Sequence, residues 1–476
     1  MQSRRDQVQA YFFVVGRLVA AVVHGKPDVL QQPNKRLNTG TFLGVVVGAV
    51  LMGIFGIYGL FVPGGDTSWR HAGAIVMNED SGARYVFLDG QLRPVLNYSS
   101  ARLAAGGAGG GKIFEVSQKS LDGTPVGQPI GIPDAPDALP GAKALDTGPW
   151  TVCAQPPGTG PQAGGPSSTL LVGQAPALDP AGQRALLVRA PDGTDFLVWQ
   201  GVRHRIPGRT EATALGYSGV DPLAVTTAWL NPIPQGPDLA VRAPSGVGTA
   251  GPRIDGGPST VGQVYLVRNP AIGTDQLYLV RSDGVAPLSP TTAALLLAAP
   301  FTKQAYPGTA VTPIEVGPGA LTGVPASGGD PDLVGTLPRT PPEILQPSAD
   351  TALCVAFTPD GEAGMRAAAG VLPASVHTDS MPVAAHQAGV TADRVAIPAG
   401  GGVLVREQST PDIAMTTVYL ITETGMKYPL AGADVVKALG YTEQTAVAMP
   451  AAMLDLLPTG PLLSQEGALS VQAPAP

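Results

Sequence analysis

Apolar and polar positions divide this chain at residues 41–62, Thr-Phe-Leu-Gly-Val-Val-Val-Gly-Ala-Val-Leu-Met-Gly-Ile-Phe-Gly-Ile-Tyr-Gly-Leu-Phe-Val, and no charge occurs between Arg36 and Asp66. At ~1.5 Å per residue such a run crosses the ~30 Å hydrocarbon core, so the pattern predicts a transmembrane helix. Ahead of it, Val8, Tyr11, Phe12, Val15, Leu18, Val19 and Val22 recur at helical spacing and make one apolar face. Arg17 interrupts that segment, which reads as too short to span; within a cytosolic stretch 1–40 it predicts an amphipathic helix lying on the membrane or on a partner.

Beyond the span the period changes from helical to alternating, and one arrangement recurs. Leu187-Val188-Arg189, a polar turn, Phe196-Leu197-Val198-Trp199, Gly201 and Ile206-Pro207 describe three short strands. The same order returns at Leu266-Val267-Arg268 with Leu277-Tyr278-Leu279-Val280, Gly284 and Pro287-Leu288. It returns again at Leu404-Val405-Arg406 with Val418-Tyr419-Leu420-Ile421, Gly425 and Pro429-Leu430, and a first copy starts at Ala74-Ile75-Val76 with Tyr85-Val86-Phe87-Leu88, Gly90 and Pro94-Val95. The second and fourth copies also match without a gap, Leu215-Gly216-Tyr217 to Leu439-Gly440-Tyr441, Leu230 to Leu454, and Pro234-Gln235-Gly236-Pro237 to Pro458-Thr459-Gly460-Pro461. Each copy reads as a small antiparallel sheet followed by one or two helices, as at Ala431–Leu439 and Ala448–Leu456.

Charge orients the chain. Arg4, Arg5, Arg17, Lys26, Lys35 and Arg36 precede the span against only Asp6 and Asp28, so the N-terminus is expected in the cytoplasm and the acidic remainder in the periplasm. A cleaved signal peptide fits poorly, because the apolar run is long and Phe61-Val62-Pro63-Gly64-Gly65-Asp66 has no Ala-x-Ala-like cleavage site. The chain holds 62 Gly and 49 Pro with 14% charged residues, yet 44% hydrophobic residues argue against disorder. The glycines and prolines therefore belong to turns and linkers between small folded units.

Cys153 and Cys354 are the only thiols and lie outside the repeats. In an oxidising compartment an even pair reads most simply as one disulfide, whose long loop removes roughly 5 kcal/mol of unfolded-chain entropy. The expected fold class is α+β: one N-terminal transmembrane helix, then an elongated periplasmic region of four small repeats around a disulfide-linked central domain. The map is repeat 1 at 74–133, the central domain at 134–180 and 310–395, repeats 2, 3 and 4 at 181–240, 258–300 and 396–463, and a disordered tail at 464–476. Gly40, Gly44 and Gly48 share one face of the span, where another helix can approach closely.

In order, Arg4-Arg5-Asp6-Gln7-Val8-Gln9-Ala10-Tyr11-Phe12, the single span, Gly127-Gln128-Pro129-Ile130-Gly131-Ile132-Pro133-Asp134-Ala135-Pro136, Trp150-Thr151-Val152-Cys153, the four repeats and the second Cys resemble the EccB family of mycobacterial type VII (ESX) secretion systems. The resemblance covers nearly the whole chain. It implies a structural subunit of an inner-membrane secretion complex, beside an FtsK-like ATPase, a multi-span channel subunit and two smaller components. It also implies pairing of the periplasmic domains with other copies of the chain and contact with a membrane-bound subtilisin-like protease.

Little in the sequence points to chemistry. Gly106-Gly107-Ala108-Gly109-Gly110-Gly111-Lys112-Ile113 fits the start of a phosphate loop, but Ile113 stands where Ser or Thr must hold Mg²⁺, so a flexible linker is expected. Relatives of the family have carried an ATPase label, which keeps ATP hydrolysis as an alternative function. Binding of cell-wall glycan by the repeats is a second, weakened by an aromatic content of 5%. Tyr85, Trp199, Tyr278 and Tyr419 fall at equivalent strand positions and are expected to pack in the sheets. His24, His71, His204, His377 and His386 are dispersed, and His204 is expected on a strand surface. No catalytic residue, cofactor, metal or nucleic-acid partner is expected, and the lipid bilayer is a partner.

Overall fold

The computed structural model describes residues 4–25, 34–61, 65–106, 112–155, 165–173, 177–271, 273–328, 337–360, 365–408 and 417–472. They form two compact units, 1–68 with 116–123, and the remainder. The first unit holds helix α1 (Arg4–His24) and helix α2 (Asn34–Phe61). Helix α2 contains residues 41–61 of the uncharged run. Helix α1 is 21 residues long, enough by length alone to cross a bilayer, so the expectation that it is too short does not hold. Its apolar surface also exceeds one face, since Phe13, Val14 and Val23 are as exposed as Val8 and Phe12.

The second unit contains four small sheets and one larger one. In every small sheet three strands run in order along an antiparallel meander, and a fourth lies on the far side of the first. These strands are Ala74–Asn78, Arg84–Leu88, Gln91–Pro94 and Ile113–Val116 in the first copy. The second copy has Leu186–Arg189, Asp195–Trp199, Val202–Ile206 and Leu223–Ala224. The third has Val264–Asn269, Thr274–Arg281, Gly284–Leu288 and Ile314–Val316, and the fourth Gly402–Gln408, Val418–Thr422, Lys427–Leu430 and Val447–Pro450.

Three expectations are corrected, the first two by the fourth strand, which is parallel to the first in copies two to four. The helix expected over Ala448–Leu456 is a strand to Pro450 and then a single helical turn, Ala451–Leu454. The third repeat does not end at 300, because Ile314–Val316 completes its sheet, and this takes the start of 310–395 away from the central domain. The segment 464–472 is ordered: Ser464 caps the helix Gln465–Leu469, whose Ala468 is fully buried against the first and fourth repeats. Residues 473–476 lie outside the described set.

Register resolves the repeat in detail. Tyr85, Tyr278 and Tyr419 each pair with a proline of the third strand, while in the second copy the equivalent residue is Phe196, opposite Arg205, and not Trp199. Beyond the third strand a Pro-x-Gly segment closes the sheet edge through one parallel bridge, Leu92↔Val126, Arg203↔Gln235 and Lys427↔Thr459. The glycine after each bridge lies on a large side chain. A Cβ at Gly236 would come 2.5 Å from His204 Cε1, and one at Gly460 2.5 Å from Tyr428 Cε1. In the third copy the bridge is Val285↔Ala326, the residue at the position of His204 and Tyr428 is Ala286, and Ser327 stands where the others have glycine. Gly460→Ala is therefore expected to lower stability by about 1–3 kcal/mol, while Ser327→Ala costs about 1 kcal/mol or less. Urea unfolding of the two variants checks this, and equal costs would show that ring contact does not select the glycine.

The larger sheet has seven strands in the order Met381–Pro382, Arg394–Ala396, Ser167–Val172, Trp150–Gln155, Thr351–Pro359, Met365–Pro373, Asp179–Pro180. At its middle the antiparallel strands from the two Cys-bearing segments pair with Cys153 directly opposite Cys354. One face carries Trp150, Val152, Leu353, Val355 and Phe357 into the largest core, and the other carries both cysteines with Leu171 and Leu372. The first and fourth repeats share a core, and the second meets the third at Leu295.

Candidate functional site

The two Cys-bearing segments reach the central sheet by matching routes. Residues Pro140 to Leu145 run along the fourth repeat, where Tyr441 donates its hydroxyl to the Pro140 carbonyl at 2.7 Å and Leu145 bridges Gly402. Residues Pro342 to Leu345 run along the second repeat, where the equivalent Tyr217 donates to the Pro342 carbonyl at 2.9 Å and Ile344 bridges Ala185. Burial pushes both phenols well above their ordinary range, so they stay protonated donors. The disulfide Cys153–Cys354 then joins the strands where these routes meet, 201 residues apart in sequence.

Trp229 fastens the second repeat to the same place. Thr226 caps its helix, Thr227–Leu230, by accepting from the Trp229 N–H. The indole is fully buried, and its Nε1–H is shared between the Val152 and Leu353 carbonyls at 3.1 and 3.2 Å, one residue before each cysteine. Sequence reading passed over this residue, because Met453 holds the matching position of the fourth repeat and nothing local marks the difference.

A half-buried and a buried cation stabilise the short helices. Arg203 donates to the Leu230 carbonyl at 3.1 Å, and the equivalent Lys427 donates to the Leu454 carbonyl, so each meets the negative end of one helical turn. Burial lowers both pKa values, and Asp455, 3.8 Å from the Lys427 ammonium, opposes the shift there. His204 is buried, contrary to the expected surface position; burial lowers its pKa, and its Nδ1 lies 2.9 Å from the Pro237 carbonyl. These groups support the repeats and converge on no common cavity.

The other singled-out residues are dispersed. A Cβ at Gly40, Gly44 or Gly48 would meet nothing within 4 Å, so that face of α2 is open. Val8, Tyr11, Phe12, Val15, Leu18, Val19 and Val22 are all exposed on α1, with the Tyr11 and Phe12 rings edge to face. Residues 107–111 of the glycine run lie outside the described set, and the Lys112 ammonium lies 4.8 Å from the centre of the Phe114 ring. Among the described residues no cluster of His, Cys, Asp and Glu is arranged to hold a metal. A cleft of about 430 Å³ between the first and fourth repeats is lined by Leu103, Asp434, Val435, Lys437 and Gln465.

A family model described as type VII secretion system ESX-1, transport TM domain B, matches residues 1–475. The chain is 28% identical to the ESX-3 secretion system ATPase EccB3 of Mycolicibacterium smegmatis, over 98% of this chain and 90% of that protein. It is also 28% identical to the ESX-2 secretion system ATPase EccB2 of Mycobacterium tuberculosis, over 100% and 96%. A solved EccB3 dimer from the ESX-3 core complex superposes with a TM-score of 0.68 at 27% identity, covering 83% of this chain and 100% of that one. A chain of an intact ESX-5 inner membrane complex has the same fold, with a TM-score of 0.68 at 24% identity over 100% and 97%.

Proposed function

Because the chain belongs to the EccB family of type VII secretion systems, we propose that it is a structural subunit of an inner-membrane secretion complex, which it stabilises by self-association of its repeat region. The observation that carries this reading is the match over most of the chain to a relative solved as a dimer from a core complex. In this role α2 crosses the membrane once with its N-terminus in the cytoplasm, the repeats lie in the periplasm, and α1 rests on the bilayer or a neighbouring subunit. The Gly40, Gly44 and Gly48 face packs against another helix, because small residues let backbones approach where lipid gives apolar side chains no preference. The partners are further copies of the chain, an FtsK-like ATPase, a multi-span channel subunit and a subtilisin-like protease.

The relatives' names carry the word ATPase, and the role proposed for this chain involves no ATP hydrolysis. Mg²⁺ coordination beside a phosphate loop needs a hydroxyl after the lysine, and Ile113 has none. Gentle extraction of the tagged chain from native membrane, followed by mass measurement and identification of co-purifying proteins, tests the assignment. A megadalton assembly containing an FtsK-like ATPase is expected, whereas a monomer or isolated dimer would overturn it. Lys112→Ala is expected to leave that assembly and its ATP turnover unchanged; lost turnover would establish the enzymatic alternative.

A further inference from the structure

We propose that residues 374–380 form a lid over the Cys153–Cys354 disulfide, and that Arg394 is the residue that pins it. Both sulfurs lie on the face of the central sheet opposite the large core, so a reductant can approach only from the lidded side. Val376, in the turn of helix Ser375–Thr378, packs into the same cluster as Cys153, Cys354, Leu171 and Leu372. From the other flank Leu178 reaches over the sheet, because Gly370, opposite Cys354, leaves the space: a Cβ there would come 2.7 Å from Leu178 Cγ.

The lid has little of its own to hold it. Its helix is four residues long, and its N-terminal end is tied by the Ala374 N–H to the Asp350 carbonyl at 2.8 Å. Its far end runs into the edge strand Met381–Pro382, paired with Arg394 and Val395, and the turn before that strand is held down by the guanidinium of Arg394, which donates from Nε to the His377 carbonyl at 2.8 Å and to Ser380 Oγ at 3.0 Å, and from a terminal nitrogen to the Ser380 carbonyl. Thr169 adds a contact of 2.9 Å to His377 Nδ1. Arg394 and Thr169 sit opposite each other on adjacent strands of the sheet, so the pin is anchored in the rigid element and the lid is the part that moves. Arg394 thereby governs how quickly the disulfide exchanges, through lid opening and without contact with sulfur.

Reduction by dithiothreitol under native conditions tests this. One dithiothreitol thiolate attacks a cystine sulfur, forming a mixed disulfide and expelling the other cysteine as thiolate. The second thiol then closes the oxidised ring and releases the remaining thiolate, two electrons passing from reductant to cystine. The rate is read on the full-length, detergent-solubilised chain by timed alkylation and mass spectrometry. Loss of the charged donor in Arg394→Ala is expected to raise it by about tenfold or more. Arg394→Lys and Thr169→Val, milder changes that serve if Arg394→Ala does not fold, are expected to give smaller rises in the same direction. Gly460→Ala, which is expected to destabilise the unit within the fourth repeat and off the strands that carry the cysteines, sets the rate that follows from global unfolding alone. Rates unchanged in the lid variants, or rising no more than stability loss in Gly460→Ala accounts for, would overturn the proposal.

Discussion

Replacing Cys153 and Cys354 together by serine is expected to lower the stability of the repeat-bearing unit by about 2–5 kcal/mol. The loop that the bond closes is 201 residues long, and the chain-entropy model assigns about 5 kcal/mol to such a closure. The two residues are already opposite partners in one ladder, so the folded double variant retains its strand pairing and most of the loss arises in the unfolded chain. Urea unfolding followed by tryptophan fluorescence is expected to show an earlier midpoint, and dithiothreitol is expected to shift the oxidised protein to the same curve. An unchanged midpoint would mean that the unfolded chain already holds its two halves together.

Trp229→Ala is expected to cost about 3–5 kcal/mol through lost volume, with roughly 1 kcal/mol more from the lost indole hydrogen bond. The residue is fully buried among Val152, Leu353 and the rest of the largest core, and it is the joint between the second repeat and the central sheet. Trp229→Phe keeps most of the volume and loses the shared N–H, so its cost is expected to be well under that of alanine. Amide exchange is expected to quicken first along Leu186–Arg189 and Trp150–Gln155, the strands on either side of the joint. A Trp229→Ala variant within about 1 kcal/mol of the parent would show that the seam is held by contacts other than this one.

The limits of sequence reading are visible in single residues. Leu266-Val267-Arg268 looks equivalent to Leu187-Val188-Arg189, but register places Tyr265, not Val267, opposite the aromatic of the second strand, as Val188 is. A two-residue slip keeps every side chain on the same face, so alternation cannot detect it. Fourth strands such as Leu223–Ala224 are too short to carry a period at all. The tail after Leu463 has a composition that reads as disordered, yet the first repeat supplies it with a surface that burial of Ala468 completes. His204 reads as exposed within a charged triplet until Gly236 is seen lying on its ring.

The sequence by itself determined what depends on neighbours along the chain: the apolar run that makes α2, the alternation and turn glycines that make four sheets, and the presence of one cysteine pair between them. Helical and strand periods are properties of about a dozen residues or fewer, so they are legible without knowing what each segment packs against. Only the tertiary structure decided which repeats share a core, where Trp229 joins them to the central sheet, and that the cysteines face a lid pinned by Arg394. Those outcomes rest on packing and hydrogen bonds between residues up to hundreds of positions apart, whose partners no local pattern names.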